Sequence, residues 1–365
     1  MIPQIDLTRQ HAALREELLA ATARVLESSR FVLGQEGRAL ESEVAALCGT
    51  RHAIGVGSGT DALRLALAAL EIGPGDEVVT TAFSFIASAS TILMAGATPV
   101  FADIEADTYA IDAAAVERAC SPRTRAVVPV HLYGHPAALD RITALARARG
   151  VAVIEDAAQA IGATYAGAPI GSWGDLACLS FYPTKNLGAC GDGGMVLTSR
   201  DDLAERLRML RDHGSVERYR HVRLGWCSRL DELQAALLRV KLRRLPAWIE
   251  ARRRIAERYR ALLGGAPLGL PVERPPARHV YHQFTVRATQ RDALAKRLAD
   301  AGVGTAVHYP LPIPGQPLFE RDGRRVADWP VAWQAAREVL SLPCFPELAD
   351  AEIEAVCGAV RRALA

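Results

Sequence analysis

Lysine is almost missing from this chain. Of 43 basic residues only Lys185, Lys241 and Lys296 are lysines, and the other 40 are arginines. Arginine keeps its proton in a protein, whereas lysine can lose it and then offers a nucleophilic amine. Lys241 in "RVKLRRL" and Lys296 in "ALAKRLAD" lie in helical patterns and are expected on solvated faces. Lys185 lies in "LSFYPTKNLGACGDGG", between a strand-like aromatic run and a cluster of glycines, with no helical period around it. Other absences narrow the class. The seven cysteines never form CxxC, which favours a reduced, cytoplasmic setting over a disulfide framework, with each thiol packed as a small hydrophobe. No apolar run approaches the length of a membrane span, and "MIPQIDLTRQ" has neither the basic nor the apolar part of a signal peptide. A net charge of +2 gives no electrostatic reason for nucleic acid or membrane as partner. The basic density of "RVKLRRLPAWIEARRRIAERYR" is interleaved with acids and apolar positions, as on a solvated helix face. No Walker A lysine motif occurs. The His131/His135 pair of "HLYGH" is interrupted by Gly134 and followed by Pro136, so a loop is expected there and no metal site.

What is present is 365 residues, half of them hydrophobic, enough for a large core and more than one domain. Residues 11–30 and 38–48 have helical periodicity. "HAIGVGSGTDALRLALAAL" then reads as strand, glycine turn and helix, "GPGDEVVTTAF" as turn and strand, and "STILMAGATPVFADI" as helix, turn and strand. "AVVPVHLYG" is a buried strand, and Val151–Ile154 another, ending in Glu155 and Asp156. Alternation of this kind predicts an α/β sheet with crossover helices on its faces, not necessarily all parallel. Beyond Leu203 the texture changes. An arginine-rich helical stretch over 230–263 is interrupted at Pro246, a helix is expected over 292–301, a Pro-rich loop over 310–317, and two further helices end the chain. The expected division is a large domain over 1–245 and a smaller α+β domain over 246–365.

Four features converge on pyridoxal phosphate. A desolvated Lys185 has a lowered pKa, and its free amine forms a Schiff base with an aldehyde. An acid at the carboxyl end of the strand "VAVIED" lies where α/β sheets bind ligands. A carboxylate there would keep a pyridine nitrogen protonated, as the cofactor needs to withdraw electrons. Glu155 and Asp156 point to opposite faces of a strand, so one of them serves, and the pattern alone leaves the choice open; capping the next helix is the ordinary alternative for both. "GVGSGTDAL" offers glycines, the hydroxyls of Ser58 and Thr60, and a helix N-terminus, the parts of a phosphate cradle. Asp61 would repel a phosphate, so its carboxylate is expected to turn away, toward substrate. In "TAFSFIAS", Phe85 has the character of a ring-stacking residue, a core position being its ordinary alternative.

Two rival classes share parts of this pattern. Gly55-x-Gly57-x-Gly59 resembles the dinucleotide fingerprint of an NAD-dependent oxidoreductase, but Thr60 stands where the third glycine belongs, and that reading leaves Lys185 without a role. A non-catalytic, pyridoxal-phosphate-binding regulator would keep the cradle without needing the lysine.

With "GSGTDAL", "PVHLYG", "EDAAQAIGA", "SFYPTKNLGACGDGG" and "GWCSRLDELQAA" in order, the chain resembles the DegT/DnrJ/StrS family of PLP-dependent nucleotide-sugar aminotransferases, from "FVLGQEGRALESEVAA" to "HYPLP". The resemblance implies the type I aminotransferase fold, with a mostly parallel seven-stranded sheet and a smaller C-terminal domain. It implies a homodimer with the site at the subunit interface, acting in deoxyaminosugar biosynthesis. Lys185 would hold the cofactor, Asp156 rather than Glu155 would pair with the ring nitrogen, Gln159 would lie near the ring hydroxyl and Phe85 would stack. Gly59, Thr60 and Ser180 would bind the phosphate. Residues around Arg229 would reach the neighbouring subunit's site, and Arg229 with the arginines near 218–223 are candidates for a diphosphate clamp. His308 and Tyr309 are candidates for sugar or nucleotide contacts. The implied reaction moves an amino group from L-glutamate to a keto-sugar nucleotide. The acid in "GTDAL" is similar to members that aminate C3, with C4 amination as the alternative. Members that act as dehydratases carry histidine in place of this lysine. Cys227, Ile161 and Pro314 depart from residues common in the family.

Overall fold

The computed structural model describes residues 1–322 and 328–365. Seven strands build the main sheet: β1 (His52–Val56), β2 (Glu77–Thr81), β3 (Thr98–Ala102), β4 (Thr124–Val128), β5 (Ala152–Asp156), β6 (Leu176–Ser180) and β7 (Gly194–Thr198). Their spatial order is β1-β7-β6-β5-β4-β2-β3. All run in one direction except β7, which is antiparallel to both of its neighbours. Both faces of the sheet are covered: β2 is buried along its whole length, Glu77, Thr80 and Thr81 included, and the cores on the two sides are closed by crossover helices.

The reversed strand decides where ligands can sit. Gly194, at the start of β7, stands opposite Val56 at the end of β1 and Ser180 at the end of β6. The turn after β1, the turn after β6 and the glycine pair before β7 therefore meet at one edge of the sheet. Helix α1 (Leu7–Ser28) is capped by Asp6, and α2 (Gln35–Cys48) ends at Gly49, whose φ of 64° suits glycine. Helix α3 (Gly59–Ala69) starts in the turn after β1 and α4 (Ala87–Met94) follows β2. The arginine-rich stretch is two helices, α5 (Glu232–Leu242) and α6 (Leu245–Leu263), with Pro246 in the first turn of α6, where it costs no hydrogen bond.

Helix α6 links two cores. Leu245 and Ile249 pack in the core beneath the main sheet, whereas Ile255, Ala256, Tyr259 and Leu263 pack in a C-terminal core. That second core lies against a two-stranded antiparallel sheet of β8 (Phe284–Arg287) and β9 (Val339–Leu342), and Ile2 and Ile5 pack against it too. Strand β9 shows no period in the sequence; its buried side chains follow directly on a helix.

Two expectations need correction. Lys241 is not solvated but fully buried, on the inner face of α5, while Lys296 is exposed as expected. Cys48, Cys178, Cys344 and Cys357 are buried, but Cys190 and Cys227 are exposed on loops.

Candidate active site

A cavity of about 450 Å³ opens at the carboxyl ends of β1, β2, β5 and β6. It gathers Gly59, Thr60, Phe85, Asp156, Gln159, Ser180, Lys185, His308 and Tyr309 from sequence positions far apart. Arg229 is not among its walls: its guanidinium is ion-paired to Asp212 at 2.9 Å and donates to Sγ of Cys227.

The two acids at the end of β5 part company, as strand alternation requires. Glu155 is fully buried away from the cavity and accepts from the backbone N–H groups of Gly171, Trp173 and Gly174. His131 Nδ1 accepts from Ala137 N–H, so Nε2 carries the proton and donates to Glu155 at 3.1 Å. Histidine and acid are thus fully occupied in holding a loop. Asp156 faces the cavity. Its Oδ2 accepts from Ser88 Oγ at 2.7 Å and its Oδ1 from Ala158 N–H at 3.2 Å. Burial pushes the Asp156 pKa up; Ser88, Ala158 and Lys185 work against that rise.

Lys185 is the apex of a loop closed at its base by Ala189 N–H donating to the Phe181 carbonyl at 2.7 Å. Its own N–H donates to the Tyr182 carbonyl. The side chain enters the cavity half-buried, and desolvation lowers its pKa to about 8, against the opposing pull of Asp156. Burial followed by the nearby Lys185 charge also lowers His308, to about 4, and His282 well below its ordinary value. The imidazoles facing the amine are therefore neutral at physiological pH.

At the other end of the cavity Gly59 and Ser180 approach closely. A Cβ on Gly59 would lie 2.6 Å from Ser180 Cβ, so only glycine leaves room for a group between the α3 N-terminus and the β6 end. Ser58 caps α3 by accepting from Asp61 N–H. Asp61 does turn away from this cradle, though not toward the cavity: it pairs with Arg64 at 2.8 Å and accepts from Ser228 Oγ at 2.7 Å. The walls come from Phe85, 53% exposed, and Tyr309, with ring centres 6.1 Å apart. Gln159 accepts from Tyr133 N–H and its Nε2 donates to the Tyr309 hydroxyl.

Three further residues of the cavity carried no individual signal. Ser88 lies one helical turn beyond Phe85, so the motif that marks Phe85 also places Ser88, and helical spacing could have found it. His282 and Gln283 come from the connection into β8, where nothing in "HVYHQF" sets them apart.

The residues present fit pyridoxal phosphate. A cradle that a Cβ would fill suits the phosphate, a buried carboxylate with spare lone pairs suits a ring N–H, and a lysine with a lowered pKa suits an aldehyde.

Comparison with known proteins agrees with this chemistry. The profile of the DegT/DnrJ/EryC1/StrS aminotransferase family matches residues 12–361. A UDP-N-acetyl-3-dehydro-alpha-D-glucosamine 3-aminotransferase of Acidithiobacillus ferrooxidans is 49% identical over 100% of this chain and 98% of its own length. A pleiotropic regulatory protein of Geobacillus stearothermophilus is also 49% identical, over 96% of this chain and 95% of its own. Among solved structures, S. venezuelae DesV in complex with a ketimine intermediate superposes with a TM-score of 0.97 at 47% identity, covering 99% of this chain and 98% of that one. The chain belongs to the DegT/DnrJ/EryC1/StrS aminotransferase family.

Proposed function

We propose that this member of the DegT/DnrJ/EryC1/StrS family is a pyridoxal-phosphate-dependent aminotransferase that moves an amino group from L-glutamate to a 3-keto-sugar nucleotide. The observation that carries the reading is the pairing, across one cavity, of a lysine whose pKa is about 8 with the Ser88-bonded Asp156. Pyridoxal phosphate supplies an electron sink that lets an amino group pass between carbon skeletons. In this reading Lys185 Nζ holds the cofactor at rest and, once freed, takes up a proton and returns it. Near neutral pH an amine of pKa about 8 can both accept and release that proton, the condition for efficient acid–base work. Asp156 holds a negative charge against the ring nitrogen, and Ser88 and Ala158 N–H keep that carboxylate oriented. Gly59, Thr60 and Ser180 take the phosphate at the positive end of α3. Phe85 would cover one ring face, and Tyr309, bonded to Gln159, lines the same cavity.

Preference for carbon 3 is supported by the name of the 49% identical Acidithiobacillus protein; Asp61 of "GTDAL", turned to Arg64 and Ser228, adds only the likeness of its motif. A regulatory role without turnover, suggested by the Geobacillus relative, would give no reason to keep a lysine of lowered pKa in the cavity. Among the described residues no arginine lines the cavity, yet a diphosphate and an amino-acid carboxylate both need one. The hairpin of Ser215–Glu217 and Arg220–His221 projects Tyr219, 82% exposed, and is followed by Leu224, 86% exposed, with Arg218, Arg220 and Arg223 nearby. This supports a homodimer in which arginines near 218–223 and Arg229 serve the neighbouring subunit's substrate. Among the described residues no helix is long and apolar enough to cross a membrane, and we place the enzyme in the cytoplasm. The test is incubation with L-glutamate and a 3-keto or a 4-keto nucleotide sugar, read by mass spectrometry. Amination of the 3-keto compound is expected; exclusive use of the 4-keto compound overturns the carbon assignment, and turnover of neither overturns the substrate class.

A further inference from the structure

The second of the three lysines lies directly beneath the loop that carries the first. Lys241 is fully buried on α5, and its Nζ donates to the carbonyl oxygen of Gly188 at 2.8 Å. His11, on α1, brings Nε2 to 3.0 Å from the same nitrogen. The Cys190 thiol also faces it, with Sγ 4.0 Å from His11 Nε2. Among the described residues no carboxylate contributes to this ammonium's surroundings. Burial pushes the Lys241 pKa down, with only the Cys190 thiol working against it, so a lysine here opposes stability and needs another reason to be there. The site is compact, with one carbonyl, one imidazole and the Cys190 thiol around the nitrogen, which suits a tetrahedral ammonium and not the planar fork of arginine. That explains a lysine in a chain that otherwise writes arginine.

Gly188 is three residues beyond Lys185 on a loop with no slack. A Cβ at Gly188 would lie 2.1 Å from the Pro183 carbonyl oxygen, so the returning strand of the loop is pressed against the outgoing one. Asn186 Nδ2 donates to the Val280 carbonyl and Ala189 N–H to Phe181, fixing the apex and the base. Displacement of the Gly188 carbonyl therefore moves Lys185.

We propose that Lys241 is a positioning residue for Lys185, setting the height of the 181–189 loop through the Gly188 carbonyl while His11 holds the Lys241 ammonium from α1. The inference rests on Lys185 being the cofactor lysine. His11 must be unprotonated to accept, and burial, then the Lys241 charge, favour that form by lowering its pKa. The groups facing His11 are Lys241 from α5 and Cys190 from the lysine loop.

Hydrogen exchange of the holoenzyme tests this directly, comparing Lys241→Met, His11→Leu and His11→Gln with wild type. Peptides covering 181–191 are expected to exchange about tenfold faster in Lys241→Met and His11→Leu, while those covering β5 stay unchanged. The pH at which the bound cofactor changes its visible absorption should shift, and kcat should fall with KM for the amino donor held. His11→Gln, which retains an acceptor, should restore all three. Wild-type loop exchange and an unshifted absorbance titration in Lys241→Met, with only a lowered Tm, would reduce Lys241 to core packing and overturn the proposal. Should Lys241→Met not fold, the two His11 variants decide by the same criteria. Absence of a trapped adduct on Lys185 in the wild-type protein would instead sink the cofactor assignment, so the two failures are distinct.

Discussion

The hydroxyl of Ser88 donates to Oδ2 of Asp156 at 2.7 Å, and both groups are buried. This bond is the main force that opposes the rise in the Asp156 pKa on burial. A hydrogen bond to a charged group contributes about 1.5–3 kcal/mol, so Ser88→Ala should lower kcat/KM by roughly ten- to a hundredfold. The carboxylate would then be lost at a higher pH than in wild type. The acid limb of the pH–rate profile should therefore move upward, with Tm lowered by the loss of the buried hydrogen bond. An unmoved limb would mean that Asp156 is not the group that titrates there.

Lys185→Ala should abolish the borohydride-trapped adduct on the 181–191 peptide and stop turnover, while leaving the fold intact, since among the described residues no salt bridge or side-chain hydrogen bond depends on this amine. Peptide mass spectrometry after reduction checks the first part and circular dichroism the second. Asp156→Asn should still bind the cofactor and lose most transamination; near-normal rates would show that another group holds the ring proton.

Gly59→Ala places a methyl 2.6 Å from Ser180 Cβ, between two backbone segments that the β1-β7-β6 pairing holds in place. Overpacking of this kind costs about 1–3 kcal/mol. Because the methyl occupies the cradle, the loss should appear as a higher half-saturation concentration for pyridoxal phosphate. Equilibrium dialysis of the apoprotein measures it. Unchanged affinity would move the phosphate elsewhere.

His11 supplies a pH test of stability. Its folded pKa lies below the ordinary histidine value of 6.5, with burial as the first cause and Lys241 the second. The unfolded chain therefore binds the extra proton more readily, and the stability contributed by neutral His11 is lost as pH falls below about 6.5 toward the depressed folded value. His135, His279, His282 and His308 are lowered as well and act in the same direction in any His11 variant. The measurement is thus a difference: Tm between pH 7 and pH 5 should fall less steeply in His11→Gln than in wild type. Equal slopes would show that His11 does not titrate on unfolding.

Much of the fold was legible because its strands are short apolar runs bounded by glycine turns and its helices keep their period. The PLP and aminotransferase chemistry was legible because Lys185, Asp156 and the "GSGT" turn sit in local patterns with few other uses. The choice of Asp156 over Glu155 was not legible from the strand itself. It depends on which face carries the Gly171–Gly174 amides, a matter of tertiary folding. Lys241 was misjudged for a related reason. Its helix presents a basic, solvated-looking pattern, and only the arrival of Gly188 and His11, 53 and 230 residues away in sequence, turns one position inward. His282 has no local mark because its place in the cavity comes from a connection that crosses from one core to the other.

The antiparallel strand β7 also has a bearing on how the polypeptide is made. In the finished sheet β1 touches β7 alone. During translation the first strand to leave the ribosome must wait, its edge unsatisfied, until residues 194–198 have emerged, whereas β2 to β5 can zip together as they appear. Half of the phosphate cradle waits with it. A nascent chain halted before that point should hold neither the sheet edge nor the vitamin, however much of the latter the cell supplies.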